Sequence, residues 1–240
     1  MIVLFSDYGL AGPYIGQVEA VLFRYAPNER VINLFADVPR QNPKAGAYLL
    51  ASYSQEFPIG TIFFCVVDPG VGGGKDKPVV VKLDSHWFVG IHNGLFDLIT
   101  RGDEVVECWE ITYQPKNLSN SFHGRDLYAP VCAMIANQQP IPGKRIDWQP
   151  RNAWPDDLYE IIYIDHFGNA MTGIRASEMK GDAIININNE EIRHAVTFSS
   201  VKKGEAFWYG NANGLVEIAV NQASAERLLQ LQIGQQITIG

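Results

Sequence analysis

The run TIFFCVV, from Thr61 to Val67, limits the possible folds of this chain more than any other segment. It is apolar, β-branched and aromatic along its length, so neither face of the extended chain suits contact with water. Such a run is typical of a strand that is buried on both faces of its sheet. Strand and helix signals alternate on both sides of it. The sequence therefore predicts an α/β domain with a central sheet flanked by helices.

Residues 1–140 contain the segments of this predicted N-terminal domain. The spacing of apolar residues predicts helices over Tyr14 to Tyr25, Pro43 to Gln55 and Asp126 to Ala136. The predicted strands are Met1 to Phe5, Arg30 to Leu34, Thr61 to Val67, Val79 to Lys82, Trp87 to Val89 and Glu104 to Thr112. Polar residues Asp84 and Ser85 separate two of these strands and predict a hairpin.

Proline interrupts this pattern after Asn137. Pro140, Pro142, Pro150 and Pro155 lie close together, and proline removes backbone donors and stiffens the chain. We therefore expect residues 141–156 to form a linker that contains no helix or strand.

Residues 157–240 predict a second domain that is mostly β-structure. Asn188-Asn189 and Lys203-Gly204 are turn signals between short apolar runs. The predicted strands are Tyr159 to Asp165, Ala183 to Ile187, Ile192 to Val196, Ala206 to Tyr209, Leu215 to Val220 and Gln236 to Ile239. One helix is predicted, from Ser224 to Gln232. The pattern indicates a small barrel or sandwich, and we expect a barrel-like domain.

Composition excludes several classes of partner. The chain has 240 residues and a net charge of −7, and an acidic chain does not attract nucleic-acid backbones. No segment reaches the roughly 18 apolar residues that span a bilayer, and the N-terminus lacks the basic region of a signal peptide. The three cysteines, Cys65, Cys108 and Cys132, are widely spaced in apolar sequence and are expected to be reduced. We therefore expect a cytoplasmic protein without nucleic-acid or membrane partners.

Two polar clusters follow predicted strands of the first domain. Asp7 and Tyr8 come directly after the first strand, where ligands bind in open α/β sheets, and a carboxylate there can accept both hydroxyls of a ribose. The alternative is an Asx turn that closes the strand. The second cluster, from Asp68 to Lys75, includes four glycines that allow close approach to a ligand. It is not a phosphate-binding P-loop, because Pro69 stands where that motif has glycine. A flexible turn remains the alternative.

Two further clusters contain histidine or amide groups. Phe122 and His123 precede a predicted helix, whose N-terminus would favour the neutral, basic form of the imidazole. The alternative is a structural histidine. In the second domain, Asp165, Phe167 and Asn169 could hold an amine, stack on a base and bind an adenine edge, respectively. A hairpin turn is the alternative there.

Several other kinds of site have no support in the sequence. Metal-site spacings of His, Cys, Asp and Glu are absent, as is the Gly-x-Ser-x-Gly motif of serine hydrolases. We therefore expect neither a metal nor a cofactor.

The clusters taken together resemble one family. The matching stretches are LFSDYGLAGPYIGQVEAVL, VPRQNPKAGAYLLA, GTIFFCVVDPGVG, NGLF, FHGRDLYAPV, IDHFGNAMT and NANGLVEIAVNQASA. In this order they resemble the S-adenosylmethionine (SAM) hydroxide adenosyltransferases, which are related to the SAM-dependent fluorinase and chlorinase. The resemblance covers nearly the whole chain. It implies an N-terminal α/β domain, a C-terminal β-barrel, and a homotrimer that binds SAM between subunits.

The resemblance also implies roles for individual residues. Asp7 corresponds to the aspartate that holds the ribose hydroxyls, and Tyr8 and Phe122 lie beside matched positions and are expected to bind substrate. The positions that bind the methionine amine and the adenine correspond to Asp165, Phe167 and Asn169. Asn211, Ala212 and Asn213 fall where relatives hold the methionine carboxylate, but the Ser-Arg pair of one relative is absent here.

The family activates water with an aspartate, an arginine and a histidine. Asp68 and His123 match two of them, whereas the arginine position is Lys75. Lysine keeps the charge but not the planar fork of arginine. The resemblance implies hydrolysis of SAM to adenosine and methionine. The alternatives are a SAM- or adenosine-binding protein with little activity, or a halogenase, which an ionised Asp68 disfavours because it repels halide.

Overall fold

The computed structural model describes residues 1–101 and 106–240, and the chain forms two compact units. Unit 1 comprises residues 1–50 and 57–153, and unit 2 comprises residues 51–56 and 154–240. Each unit has its own cluster of buried apolar residues. The prediction of an α/β first domain and a barrel-like second domain is confirmed.

Unit 1 is built on a seven-stranded sheet with the order β2-β1-β3-β5-β4-β6-β7. Its strands are β1 (Ile2–Ser6), β2 (Val31–Phe35), β3 (Ile62–Val66), β4 (Pro78–Lys82), β5 (Trp87–Ile91), β6 (Glu107–Ile111) and β7 (Gly143–Ile146). The first four in the order are parallel, and β4, β6 and β7 pair antiparallel. Every residue of β3 is buried, as its sequence predicts. The first two residues of the strand predicted over Glu104 to Thr112 lie outside the residues that the structure describes.

Helices cover this sheet. They are α1 (Tyr14–Tyr25), α2 (Pro43–Tyr53) and α3 (Ala129–Ala136), and a π-helical segment, Gly124–Tyr128, leads into α3. Leu22 of α1 and Cys132 of α3 share one buried cluster with Leu4 and Phe64 of the sheet. Gly46 of α2 packs so closely that an added Cβ would lie 2.9 Å from a methyl group of Leu95.

The prediction that residues 141–156 contain no strand is wrong for Gly143–Ile146. These residues pair with β6, with Ile146 opposite Cys108 and Gly143 opposite Ile111. The prolines do not prevent this pairing because Pro142 precedes the strand, where a missing N–H costs no ladder hydrogen bond. Edge pairing depends on tertiary contact, which proline spacing does not show.

Asp97 fixes the chain that follows β7. Its side chain is fully buried, and its two oxygens each accept a hydrogen bond from the N–H of Arg151 at 3.1 Å. The N–H of Asn152 donates to Asp97 Oδ2 at 2.8 Å. One buried carboxylate therefore satisfies two backbone donors that lie more than fifty residues away in sequence.

We expect Asp97→Ala to lower the free energy of unfolding by about 3 kcal/mol, because it leaves these donors unpaired. Urea denaturation measures the effect. The control is Asp84→Ala in the exposed turn between β4 and β5, which should change stability by less than about 0.5 kcal/mol. Equal stability of the two variants would contradict this role of Asp97.

Unit 2 contains a second seven-stranded sheet with the order β14-β10-β11-β12-β13-β9-β8. Its strands are β8 (Leu158–Ile164), β9 (Ala170–Arg175), β10 (Ile185–Ile187), β11 (Glu190–His194), β12 (Ala206–Gly210), β13 (Leu215–Val220) and β14 (Thr238–Ile239). Neighbouring strands are antiparallel, except that β11 and β12 are parallel. Glu160 of β8 bridges to Gln236, just before β14, so the two edges of the sheet meet and the sheet is nearly closed.

The sequence predicts no strand over Ala170–Arg175, where the structure has β9. This segment, AMTGIR, contains alanine and glycine and lacks the β-branched or aromatic run that marks a strand. It nevertheless pairs with β13 and β8, and Thr172 is fully buried there. The predicted helix is shorter than expected: α4 spans Ala225–Leu229, with Ser224 as its N-cap.

The helices and the cysteines of the described residues bear on the expected partners and redox state. None of its helices combines the length and the apolar character that a membrane span requires. Cys65, Cys108 and Cys132 are all buried and free.

Candidate functional site

Asp7 and Asp68 lie at the same edge of the first sheet. β1 and β3 are adjacent and parallel, with Ser6 opposite Val66, so the residues that follow them leave the sheet side by side. The N–H of Asp7 donates to the carbonyl oxygen of Val66 at 3.2 Å. This edge is where open α/β sheets bind ligands.

The Asp7 carboxylate is held by a distant part of the chain. Its Oδ2 accepts a hydrogen bond from the N–H of Gln41 at 2.9 Å, so this carboxylate fastens a loop 34 residues away. Burial raises the pKa of Asp7, and the backbone hydrogen bonds oppose that effect. A carboxylate has about four lone-pair sites, which leaves acceptor capacity for a ligand hydroxyl.

Asp68 stands at the start of the glycine-rich loop. Its Oδ1 accepts a hydrogen bond from the N–H of Gly70 at 2.9 Å, which orders the start of the glycine-rich loop. Burial raises the pKa of Asp68, whereas the Gly70 hydrogen bond and the charge of His123 lower it. The predicted second and third clusters therefore approach each other.

Gly72 joins the same two segments. Its φ is +78°, and an added Cβ would lie 2.4 Å from the carbonyl oxygen of Asn120. Any larger residue would push apart the glycine-rich loop and the segment that leads to His123. At Gly72 this loop is therefore packed against neighbouring backbone.

His123 directly precedes the π-helical segment and is half-buried. Such segments are rare and often occur at functional sites. The residues after it form an ion pair, with Arg125 Nε 2.6 Å from Asp126 Oδ1. Asp126 also accepts a hydrogen bond from the N–H of Ser119, so it braces the preceding loop.

Aromatic rings surround this edge of the sheet. The rings of Tyr8 and Phe122 meet edge to face with centroids 5.6 Å apart, and Tyr14 contacts Phe122 in the same way at 5.3 Å. Burial, together with the charges of Asp7 and Asp68, raises the pKa of Tyr8. Tyr8 therefore remains a neutral hydroxyl group.

Lys75 is exposed in the glycine-rich loop. Two other cations near this edge are already paired. Lys77 Nζ lies 3.0 Å from Glu110 Oε1, and Arg125 pairs with Asp126. Of these three cations in the described part of the chain, Lys77 and Arg125 are therefore engaged with carboxylates, and Lys75 is the exposed one in the glycine-rich loop.

Sequence reasoning missed Tyr128 at this site. Its side chain is fully buried, and among the described residues its hydroxyl has no hydrogen-bond partner. Burial, followed by the charge of Asp68 and the neighbouring Tyr8, raises its pKa. A tyrosine in an apolar helix resembles a core residue, so the sequence contained no signal for it.

Gly124 leaves room for the Tyr8 hydroxyl. A Cβ at position 124 would lie 1.9 Å from Tyr8 Oη. We expect Gly124→Ala to lower the free energy of unfolding by about 2 kcal/mol through overpacking. Adding Tyr8→Phe removes the nearest atom and should restore part of this loss in urea denaturation. A double variant no more stable than Gly124→Ala would contradict the contact.

Unit 2 contains a cavity of about 870 Å³. The predicted residues Asp165, Phe167, Asn169, Asn211, Ala212 and Asn213 all line it. Asp165 Oδ1 accepts hydrogen bonds from the N–H groups of Phe167 and Asn169, both at 2.9 Å, and Asp165 Oδ2 accepts one from Asn169 Nδ2 at 3.0 Å. This turn leaves Phe167 75% exposed, so its side chain is accessible to a ligand.

Glu217 is a second carboxylate in this cavity that sequence reasoning missed. It is 2% exposed on β13, within an otherwise apolar strand. Tyr209 Oη donates to Glu217 Oε1 at 2.6 Å, and Asn211 Nδ2 donates to Glu217 Oε2 at 3.0 Å. Burial raises the pKa of Glu217 and these two donors oppose that effect.

Metal binding has no candidate site in the described part of the chain, where no group of three or more His, Cys, Asp or Glu side chains could hold an ion.

Relatives of the chain include named enzymes. A protein of Thermus thermophilus named (R)-S-adenosyl-L-methionine hydrolase is 30% identical, and the alignment covers 98% of this chain and 97% of that protein. A Salinispora arenicola protein of the same name is 31% identical over 98% of this chain and 95% of its own length.

Solved structures resemble the whole chain. An uncharacterized conserved protein from Thermotoga maritima superposes with a TM-score of 0.89 at 29% identity, over 100% of this chain and 99% of that one. A conserved hypothetical protein from Thermus thermophilus gives a TM-score of 0.77 at 30% identity, over 100% and 99% of the two chains.

Family profiles match both parts of the sequence. Residues 2–143 match the SAM hydroxide adenosyltransferase N-terminal domain, and residues 159–238 match the C-terminal domain. Since the two profiles together cover most of the sequence, the chain belongs to the SAM hydroxide adenosyltransferase family.

Proposed function

We propose that this protein hydrolyses SAM to adenosine and L-methionine. The observation that carries the proposal is the meeting of three segments at the ligand-binding edge of the first sheet. Asp7 and Asp68 follow adjacent parallel strands. Gly72 packs against Asn120 in the segment that leads to His123. Family membership and relatives named (R)-S-adenosyl-L-methionine hydrolase support the proposal. Water forms a bond to the ribose 5′-carbon, the bond to sulfur breaks with its electron pair going to sulfur, and one proton is released.

In this reaction the nucleophile needs catalytic assistance and the leaving group does not. Methionine leaves a sulfonium as a neutral thioether and needs no proton, whereas water must lose one. Asp68 and His123 take this proton and hold the attacking oxygen. Burial raises the pKa of Asp68, which makes the carboxylate a stronger base than a solvated one. Lys75 supplies the positive charge in place of the family arginine.

Ground-state binding uses the other site residues. Asp7 accepts the ribose hydroxyls, and Tyr8 and Phe122 provide apolar contact beside the reacting carbon. In unit 2, Phe167 stacks on adenine and Asn169 binds its edge. Asp165 receives the methionine amine, and Asn211, Ala212 and Asn213 receive the rest of the methionine.

The family resemblance supports three further parts of the proposal. The protein is a homotrimer whose site is completed between subunits, and it needs no cofactor. It works in the cytoplasm, where its three free cysteines stay reduced.

Chromatography of products after incubation with SAM tests the proposed reaction. We expect adenosine and methionine in equal amounts, unchanged by added chloride or fluoride, because an ionised Asp68 repels halide. Measurable SAM binding without adenosine above the control lacking enzyme would instead support a binding protein. A 5′-halogenated adenosine would support a halogenase.

Two substitutions test the proposed role of Lys75, one that keeps its positive charge and one that removes it. Lys75→Arg restores the family residue and should retain or raise kcat, whereas Lys75→Ala removes the charge and should lower kcat by about tenfold or more. Steady-state kinetics with SAM measures both. Complete loss of activity in Lys75→Arg would show that lysine has a distinct local role.

A further inference from the structure

The cavity of unit 2 is negatively charged. Asp165 and Glu217 line it, and among its described lining residues there is no lysine, arginine or histidine. A methionine moiety carries both an ammonium and a carboxylate group. This cavity has charged groups that complement only the first.

The hydrogen bonds around Glu217 identify it as an acceptor. Asn211 Oδ1 accepts from the N–H groups of Asn213 and Leu215, both at 3.0 Å, which fixes the orientation of the Asn211 amide. The NH₂ group of Asn211 therefore faces Glu217 Oε2 as a donor. With Tyr209 donating to Oε1, two of about four lone-pair sites are filled and about two remain for a ligand.

Asp165 and Glu217 line the same cavity. The charge of Asp165 contributes to the raised pKa of Glu217, after the larger effect of burial. Two carboxylates that share a low-dielectric cavity repel each other, and a cation between them relieves both the repulsion and the cost of burial. A primary ammonium group, with three donors, matches the lone-pair sites that remain.

We propose that unit 2 recognises the substrate by its primary ammonium group, held between Asp165 and Glu217, and that unit 2 contributes no charged group to the recognition of the carboxylate. The protein then also hydrolyses an adenosyl sulfonium whose side arm ends in an amine without a carboxylate, as in decarboxylated SAM. This inference rests on the proposed function. In that reaction water bonds to the 5′-carbon, the sulfur leaves with its electron pair as 3-(methylsulfanyl)propylamine, and one proton is released.

Two measurements, the turnover of each sulfonium and the binding of substrate fragments, distinguish failure of this inference from failure of the proposed function. We expect kcat/KM for decarboxylated SAM within about tenfold of that for SAM, a difference of no more than one hydrogen bond. A decrease of more than about a hundredfold would overturn the inference while leaving the proposed function intact. If neither sulfonium is hydrolysed, the proposed function fails, and the binding measurement alone decides the inference.

The binding measurement is calorimetry on the full chain in saturating adenosine, with 3-(methylsulfanyl)propylamine and 4-(methylsulfanyl)butanoate as probes. We expect the amine to bind at least about tenfold more tightly than the acid. Glu217→Gln should remove most of this preference, and so should Asp165→Asn, which provides a second test if the first variant misfolds. Glu160→Gln, a buried glutamate of β8 paired with Gln236, is the matched control and should retain the preference. Undetectable binding of the amine, tighter binding of the acid, or an unchanged preference in both folded cavity variants would overturn the inference.

Discussion

Asp68→Asn should lower kcat for SAM hydrolysis by about a thousandfold while KM changes little, because the variant removes the base but not the substrate contacts. The substitution keeps the local structure, since an asparagine Oδ1 can still accept the N–H of Gly70. Steady-state kinetics, with calorimetric measurement of SAM binding, tests both halves of this expectation.

The pH dependence sharpens the same prediction. Burial raises the pKa of Asp68, so activity falls when the pH drops through this raised pKa and the base becomes protonated. Because the pKa of Asp68 is raised in the folded state, protonation of Asp68 stabilises the fold, and this stabilisation is lost as the pH rises through the raised pKa. Near neutral pH, Asp68→Asn should therefore unfold at no lower temperature than the wild type. Asp84→Asn, in an exposed turn, is the control for both measurements. Unchanged kcat in Asp68→Asn would remove Asp68 from the mechanism.

Asp7→Asn should have the opposite kinetic signature. It replaces a carboxylate that accepts the ribose hydroxyls, and hydrogen bonds to charged groups contribute about 1.5–3 kcal/mol each. We expect KM for SAM to rise by about a hundredfold and kcat to change by less than tenfold. The asparagine Oδ1 can take over the hydrogen bond from Gln41, so the loop remains fastened.

Product inhibition provides an independent test of Asp7. The wild type should bind adenosine more tightly than 2′,3′-dideoxyadenosine, and Asp7→Asn should lose most of this difference. If the variant still prefers adenosine as strongly as the wild type, another group holds the ribose. Asp7 and Asp68 follow neighbouring strands, but we propose that Asp7 binds the ribose and that Asp68 acts as the base. The two variants should therefore differ in whether KM or kcat changes.

Much of the first unit could be predicted from local pattern. The apolar run of β3 and the helical spacing of α1 are signals within one segment, and both elements formed where expected. The sequence also places Asp7 and Asp68 directly after predicted strands, but the adjacency of those two strands, which brings the aspartates to one edge, is seen only in the folded chain.

The missed features depend on contacts between distant segments. β7 and β9 are strands because a neighbouring strand pairs with them, and their own residues are poor predictors. Glu217 and Tyr128 lie in apolar surroundings, where a single polar residue looks like an exception to a core pattern. Only the folded chain shows that Tyr209 and Asn211 hold Glu217 at a cavity.

The most direct test of the proposed reaction is hydrolysis of SAM in water labelled with ¹⁸O. We expect one labelled oxygen in the 5′-hydroxyl group of adenosine and none in methionine, because water attacks the ribose 5′-carbon. Adenosine without the label, the label in the methionine product, or no adenosine at all would contradict the proposed reaction.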